Sequence, residues 1–359
     1  MSFSNIKKLI VDQSLLDIKS EVFIENDVII IKSGTGSGKT KNVAKVSTDL
    51  LEKFPDHRIL SIVNLISLAH QQITEFDEQN VILHNYQKSV ANFGTENGVI
   101  CINSLVRLKN LKNFDLSKVI LYIDECNDLI DSLCQNNTLD SVLIETYDFL
   151  IKLIKNCSKV IISDATINQN TYNLISGRKE NTKTIEITNT SKKFKDVPAY
   201  CYNDEEQFIN KLRDSIKNKK YFLFGCDNCD MITKLYQKFV IEFPEQKESF
   251  LLITSNTKKH KSCAFRKKYT LYSPSIITGV SYWTKEPQEQ FLYVSEYTKI
   301  SPISLMQMSS RTRNMSSLHI YHADIKNQKI LYDSLEKLTE KYEKDILTNN
   351  MLNKLSIII

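Results

Sequence analysis

The residues with the clearest chemical content lie in VIIIKSGTGSGKTKNVAKV, Val28 to Val46. Ser33, Gly34, Thr35, Gly36, Ser37 and Gly38 join a β-branched run to a segment with helical spacing, and Lys39 and Thr40 follow at once. This order suits phosphate binding. Glycines at alternate positions let successive backbone N–H groups turn inward onto phosphate oxygens, and the helix N-terminus behind them adds partial positive charge. Lys39 is then in reach of β- and γ-phosphates and the Thr40 hydroxyl is a ligand for Mg²⁺, so ATP and Mg²⁺ are the expected cofactors. Such loops ordinarily open on glycine. Ser33 is small enough for that position, and Gly34 supplies backbone freedom immediately after it. A phosphate loop also requires a carboxylate at the end of a neighbouring strand. VILYIDECND, Val119 to Asp128, provides one: Asp124 on the metal side, with Glu125 left to orient and deprotonate an attacking water.

Both stretches need parallel strands to hold them. Short apolar, β-branched runs recur along the chain with helical segments between them, the pattern of an α/β protein with a largely parallel sheet flanked by helices. DVIIIK, RILSIVN, NVILHN, GVICIN, VILYIDE, KVIISDAT and KTIEIT read as strands covered on both faces, because they are apolar without alternation. A polar segment with a proline, Thr190 to Tyr200, interrupts the series, and KYFLFGCD, SFLLITS, SIITGV, QFLYVSE and LHIYHAD restart it. The restart predicts two tandem domains of one class, residues 1–192 and 193–359, joined near Ser191 to Pro198. The closing ILTNNMLNKLSIII reads as a terminal helix or a packed strand.

The 359 residues suffice for two cores without disulfide support. A balance of 47 Lys+Arg against 42 Asp+Glu is mildly basic, which fits a polyanion partner without requiring one. Of eight scattered cysteines, Cys226 and Cys229 form the one close pair, with no second pair at zinc-site spacing. They read either as a metal or redox pair or as small buried residues at a strand end. The N-terminal MSFSNIKKLIVDQSLLDIKSE lacks an apolar signal core, and no run approaches bilayer length. The expected setting is soluble, reducing and intracellular, without a membrane partner.

Taken in order, SGTGSGKT, IDECND, SDAT and QMSSRTR resemble the superfamily 2 helicases, the DExH/D-box-like ATPases with two tandem RecA-like domains. Within them the set looks most like the replication origin-binding protein helicases of herpesviruses and other large DNA viruses, and the resemblance covers nearly the whole chain. It implies that Asn64 and Ser67 in VNLISLAHQ, and Asn103 and Ser104 in CINSLVRL, contact nucleic-acid phosphates. Each of these also fits a helix N-cap. Thr166, after Asp164 and Ala165 in SDAT, would link the acidic motif to the nucleic-acid side. In the second domain the resemblance assigns Gly225, Cys226 and Asp227 to a strand end facing the same cleft, and Thr278, Gly279 and Ser281 to a motif touching both strand and nucleotide. Gln307, Arg311 and Arg313 would reach the γ-phosphate across the cleft, the arginines as fingers. Most members space these arginines as R-x-x-R after a glycine, whereas here Ser310 precedes Arg311 and Asn314 stands where the second arginine would fall. The R-x-R form agrees better with the origin-binding branch, which makes Arg313 the preferred finger. The basic run KKHKSCAFRKK, Lys258 to Lys268, reads either as a track for a nucleic-acid backbone or as a solvated face. Tyr282 and Trp283 read as base-stacking residues, with core packing the alternative for Trp283.

The implied function is ATP hydrolysis coupled to unwinding or translocation on single-stranded or forked DNA, in replication, with other replication proteins as partners; a viral origin would place it in host cytoplasm or nucleus. Two readings compete with it. One is a nucleic-acid-stimulated ATPase that remodels protein–DNA complexes without separating strands. The other is a replication-initiation scaffold that binds nucleotide with little turnover. Larger relatives carry a separate sequence-specific DNA-binding domain, for which little chain follows the last motif here, as expected of a fragment or of a minimal motor recruited by a partner.

Overall fold

The structure, a computed structural model, describes residues 6–111, 114–135, 142–178, 182–254, 257, 267–274, 284–296, 298, 300, 302–323, 334 and 337. One compact unit passes to the next between Lys193 and Phe194.

In the first unit the strands are β1 (Lys7–Val11), β2 (Val28–Lys32), β3 (Arg58–Val63), β4 (His84–Asn85), β5 (Gly98–Cys101), β6 (Val119–Asp124), β7 (Lys159–Asp164) and β8 (Thr184–Asn189). The helices are α1 (Ser20–Glu25), α2 (Lys39–Lys53), α3 (Ile66–Asp77), α4 (Cys126–Gln135), α5 (Leu143–Asn156) and α6 (Gln169–Ile175). Every strand pairing is parallel, in the order β1-β8-β2-β7-β6-β3-β5-β4. Strands β3, β6 and β7 are buried at every residue and β2 at all but its last, as strands covered by helices on both faces must be. Parallel pairing brings all the carboxyl ends to one edge of the sheet, where ligands of such folds bind. The central neighbours β2, β7, β6, β3 and β5 are the strands that precede the motif residues, so Ser33, Asp164, Asp124, Asn64 and Asn103 are delivered to that one edge.

The second unit repeats the plan. Its strands are β9 (Ala199–Tyr202), β10 (Tyr221–Cys226), β11 (Phe250–Ile253), β12 (Tyr269–Tyr272), β13 (Gln288–Val294) and β14 (Met315–His322). They pair in parallel in the order β11-β12-β10-β13-β14-β9, with a register shift between Gln288 and Glu289. Its helices are α7 (Glu205–Lys217), α8 (Cys229–Glu242) and α9 (Pro302–Ser309). Where the first core is chiefly aliphatic, this one is built on rings: Phe208 meets Phe291 edge-on at 5.7 Å, and Phe222 stacks on Tyr269 at 5.1 Å. Both units are therefore α/β with wholly parallel described sheets.

Three strands go beyond those expected from the sequence. β1 and β9 are sheet edges, with largely exposed residues that blur the apolar signal. β12 is buried but short, and it follows the basic run directly. NVILHN contributes only His84–Asn85, because Val81 and Leu83 pack inward from loop while Ile82 is 65% exposed. SIITGV and the closing ILTNNMLNKLSIII lie outside the described residues. Among the described residues no helix is long and apolar enough to cross a membrane.

Candidate active site

Strand β2 hands the chain to the glycine-rich loop, and the Ser33 N–H anchors it by donating to the Asp164 carbonyl at 3.0 Å. Gly36 and Gly38 take φ of 77° and 81°, the left-handed region that other residues enter at a cost, and Gly38 then starts α2. A Cβ added at Gly34 would meet no protein atom within 4 Å. Packing does not call for that glycine, which fits a surface kept smooth for a ligand. Lys39 is only 6% exposed; its Nζ donates to the Ser33 carbonyl at 3.0 Å and lies 3.9 Å from Glu125 Oε1.

Asp124 ends β6 almost fully buried and accepts from four donors. Thr40 Oγ1 at 3.0 Å and Gln72 Nε2 at 3.2 Å meet one oxygen, and Ser163 Oγ at 2.5 Å and the Glu125 N–H at 3.1 Å meet the other. Thr40, in the first turn of α2, thus meets Asp124 at the end of β6. Hydroxyl and carboxylate oxygens are hard donors of the kind Mg²⁺ takes together with water and phosphate. Glu125 turns the chain at φ 49°, a strained value for a residue with a side chain, and its Oε2 is buried without a hydrogen bond. Burial pushes the Glu125 carboxyl up to about 7, Lys39 opposing and Asp124 and Asp164 reinforcing the rise.

The third acid, Asp164 at the end of β7, binds the Asn127 N–H at 2.7 Å and the Thr166 N–H at 2.8 Å. The Thr166 hydroxyl donates to Asp164 at 3.2 Å and accepts from Asn127 Nδ2 at 3.2 Å, so SDAT and IDECND are joined directly. Asn64 follows β3 and keeps a buried Oδ1 without a hydrogen bond, while Ser67 sits in the first turn of α3. Asn103 and Ser104 lie in a 3₁₀ turn, Ile102–Leu108, directly after β5.

Sequence reasoning did not single out Ser61, Gln72, Tyr122, Asn127, Ser163 and Asn189. Ser61 donates to Gln72 and Tyr122 bonds to Ser163 at 3.0 Å, so both support the side chains that hold Asp124. One signal was available for Ser61 and Ser163: a hydroxyl in a strand buried on both faces must have a partner.

In the second unit Gln307 lies in α9, and Arg311 and Arg313 follow where that helix has ended. Arg311 is 6% exposed and its Nε donates to the Gln307 carbonyl at 3.1 Å. Gly225 lies within β10, where an added Cβ would come to 3.0 Å of Tyr272 Oη and 3.3 Å of Met308 Cε, so close packing accounts for the glycine. Asp227 is held by Ser295, which donates its N–H at 2.9 Å and its hydroxyl at 2.8 Å. Cys226 and Cys229 are free thiols; Cys226 is buried, and burial pushes its thiol up to about 12, the state of an inert core cysteine. Thr278, Gly279, Ser281, Tyr282, Trp283 and the basic run up to Arg266 lie outside the described residues.

The chain is similar to known proteins in sequence and in fold. Residues 11–130 match the family described as type III restriction enzyme, res subunit. The replication origin-binding protein of human herpesvirus 6A (strain Uganda-1102) is 25% identical over 83% of this chain. The match spans 38% of that relative, so the chain covers well under half of it. In fold, the chain resembles Mss116p bound to single-stranded RNA and AMP-PNP, with a TM-score of 0.60 and 13% identity over 98% of this chain and 89% of the other. It also resembles an S. cerevisiae Dbp5 variant bound to RNA and ADP–BeF3, with a TM-score of 0.57 and 13% identity over 91% and 89% of the two chains. Tandem parallel-sheet units of the RecA-like kind, the motif order on the page and these likenesses together support a superfamily 2 helicase core.

Proposed function

We propose that this chain is an ATP-driven helicase or translocase that acts on DNA in replication, hydrolysing ATP to ADP and phosphate as it moves along or separates strands. The observation that carries the reading is the meeting of Lys39 and Thr40, in the first turn of α2, with Glu125 and Asp124 at the end of β6. Lys39 would offset phosphate charge, the loop N–H groups would cradle the phosphates, and Thr40 and Asp124 would hold Mg²⁺, which would supply further neutralisation of phosphate charge. Glu125, in its ionised form, takes a proton from the attacking water. The resemblance assigns Gln307, Arg311 and Arg313 to the motif whose arginines add positive charge at the γ-phosphate. Asn64, Ser67, Asn103, Ser104 and Thr166 lie at or beyond the carboxyl ends of their strands and bind the backbone of a single strand. Preference for DNA over RNA rests on the origin-binding relative, and replication proteins are the partners that relative suggests.

Phosphate release titrated with single-stranded DNA, single-stranded RNA and duplex tests the reading. Stimulation by single-stranded DNA, followed by strand separation on a forked duplex, is expected. Release no greater than that of Lys39→Ala under all conditions would leave a nucleotide-binding scaffold, and stimulation without strand separation would leave a remodelling ATPase.

A further inference from the structure

The Asn189 side chain uses its whole hydrogen-bonding capacity at one point of the first unit. Its Oδ1 accepts the Gln13 N–H at 3.0 Å and the Ser191 N–H at 3.2 Å, and its Nδ2 donates to the Gln13 carbonyl at 2.8 Å and to Ser33 Oγ at 3.0 Å. Ser33 Oγ in turn donates to Ser37 Oγ at 2.6 Å, which ties together the two ends of the glycine-rich loop. Three segments meet at this amide. One is the stretch between β1 and α1, which also grips the loop where the Leu16 N–H donates to the Ser37 carbonyl at 2.8 Å. The second is the phosphate loop itself. The third begins at Ser191, two residues before the chain leaves this unit at Lys193. The register makes the meeting possible, since Lys32 of β2 pairs with Thr188 of β8 and the next residues are Ser33 and Asn189.

Ser33, Ser37 and Asn189 are all buried, so water does not replace these bonds when they are lost. A glycine at position 33 has no hydroxyl to offer either neighbour. We propose that Asn189 is a positioning residue that, through Ser33, braces the phosphate loop and couples it to the root of the connection at Ser191. The brace restrains a glycine-rich segment before phosphate arrives, which lowers the ordering cost of binding. A rearrangement of Ser33 or Ser37 on nucleotide binding then alters the hold on Ser191. This role rests on the phosphate-loop assignment for its response to nucleotide; the brace itself does not.

The test compares Ser33→Gly, Ser33→Ala, Asn189→Ala and the Ser33→Ala/Asn189→Ala double variant with wild type, melting curves confirming that each folds. Two readouts are taken: affinity for a fluorescent ADP, and hydrogen exchange at the Ser191 amide with and without ADP. Ser33→Gly, although it restores the usual loop residue, is expected to weaken ADP binding by roughly fivefold or more, the low end for two lost buried hydrogen bonds. The double variant is expected to bind no worse than the weaker single one, because both substitutions break one chain. Ser33→Ala, which removes a hydroxyl bonded to Asn189 and Ser37 and not to Ser191, should speed exchange at that amide. Unchanged or tighter ADP binding by Ser33→Gly, additive losses in the double variant, or exchange at Ser191 that ignores Ser33→Ala would each overturn the proposal. Wild type that binds no ADP would refute the nucleotide reading instead, and the exchange comparison without ADP would still decide the brace.

Discussion

Glu125→Gln should stabilise the protein while it removes the catalytic base, and the size of the gain follows from the site. The Glu125 side chain is 17% exposed, and burial raises its carboxyl from 4.5 to about 7, a larger influence than the opposing attraction of Lys39 at 3.9 Å. A folded-state value above the unfolded one means that the native protein holds this proton more tightly than the unfolded chain. Between about pH 4.5 and 7 the folded state therefore binds more protons, and stability falls as pH rises through that window. Moving a carboxyl that far is worth roughly 3 kcal/mol at ~1.4 kcal/mol per pH unit. Glutamine keeps the shape and never ionises, so it escapes the loss.

Urea unfolding of the metal-free and nucleotide-free protein at a series of pH values reads this directly. At pH 8 the variant is expected to exceed wild type by up to about 3 kcal/mol, and below pH 4.5 the two should converge. ATP hydrolysis by the same variant should fall to background. Gain of stability with loss of turnover is what a group held in an unfavourable state for its chemistry produces, and a merely structural strand end does not give that pair of results. A variant less stable than wild type at pH 8, or a difference indifferent to pH, would refute the account of a carboxylate destabilised by burial.

Three further substitutions probe the rest of the site and the second core. Lys39→Ala should abolish phosphate release with little change in melting temperature, and normal release would remove the phosphate-loop assignment. Arg313→Ala should lower hydrolysis by at least about tenfold with a much smaller effect on ATP binding; normal hydrolysis with weaker, less salt-sensitive DNA binding would assign Arg313 to the strand instead. Gly225→Ala should destabilise the second unit by about 1–3 kcal/mol, since its Cβ would sit 3.0 Å from Tyr272 Oη and 3.3 Å from Met308 Cε, and unchanged unfolding would show that Tyr272 and Met308 yield freely.

What could be read from the sequence follows from the parallel sheet. A strand covered on both faces is largely apolar, and the residue that ends the apolar run is delivered to the functional edge; Asp124 announces itself in this way, whereas Ser163 stands before Asp164, which the resemblance of SDAT picks out instead. The loop before Lys39 is legible for a local reason as well, because φ near 80° at Gly36 and Gly38 needs glycine. Edge strands escape the first rule: β1 and β9 face solvent over most of their length, so nothing in their composition separates them from loop. The acid pair was visible, but not its supports, since Gln72 reaches Asp124 across 52 positions and Asn189 reaches Ser33 across 156. Such contacts depend on which strands become neighbours, and strand order is not written in any local pattern. Ser33 joins the two kinds of information. Locally it looks like a tolerated departure from glycine, and only β8 lying beside β2 shows that its hydroxyl has a buried amide to answer to.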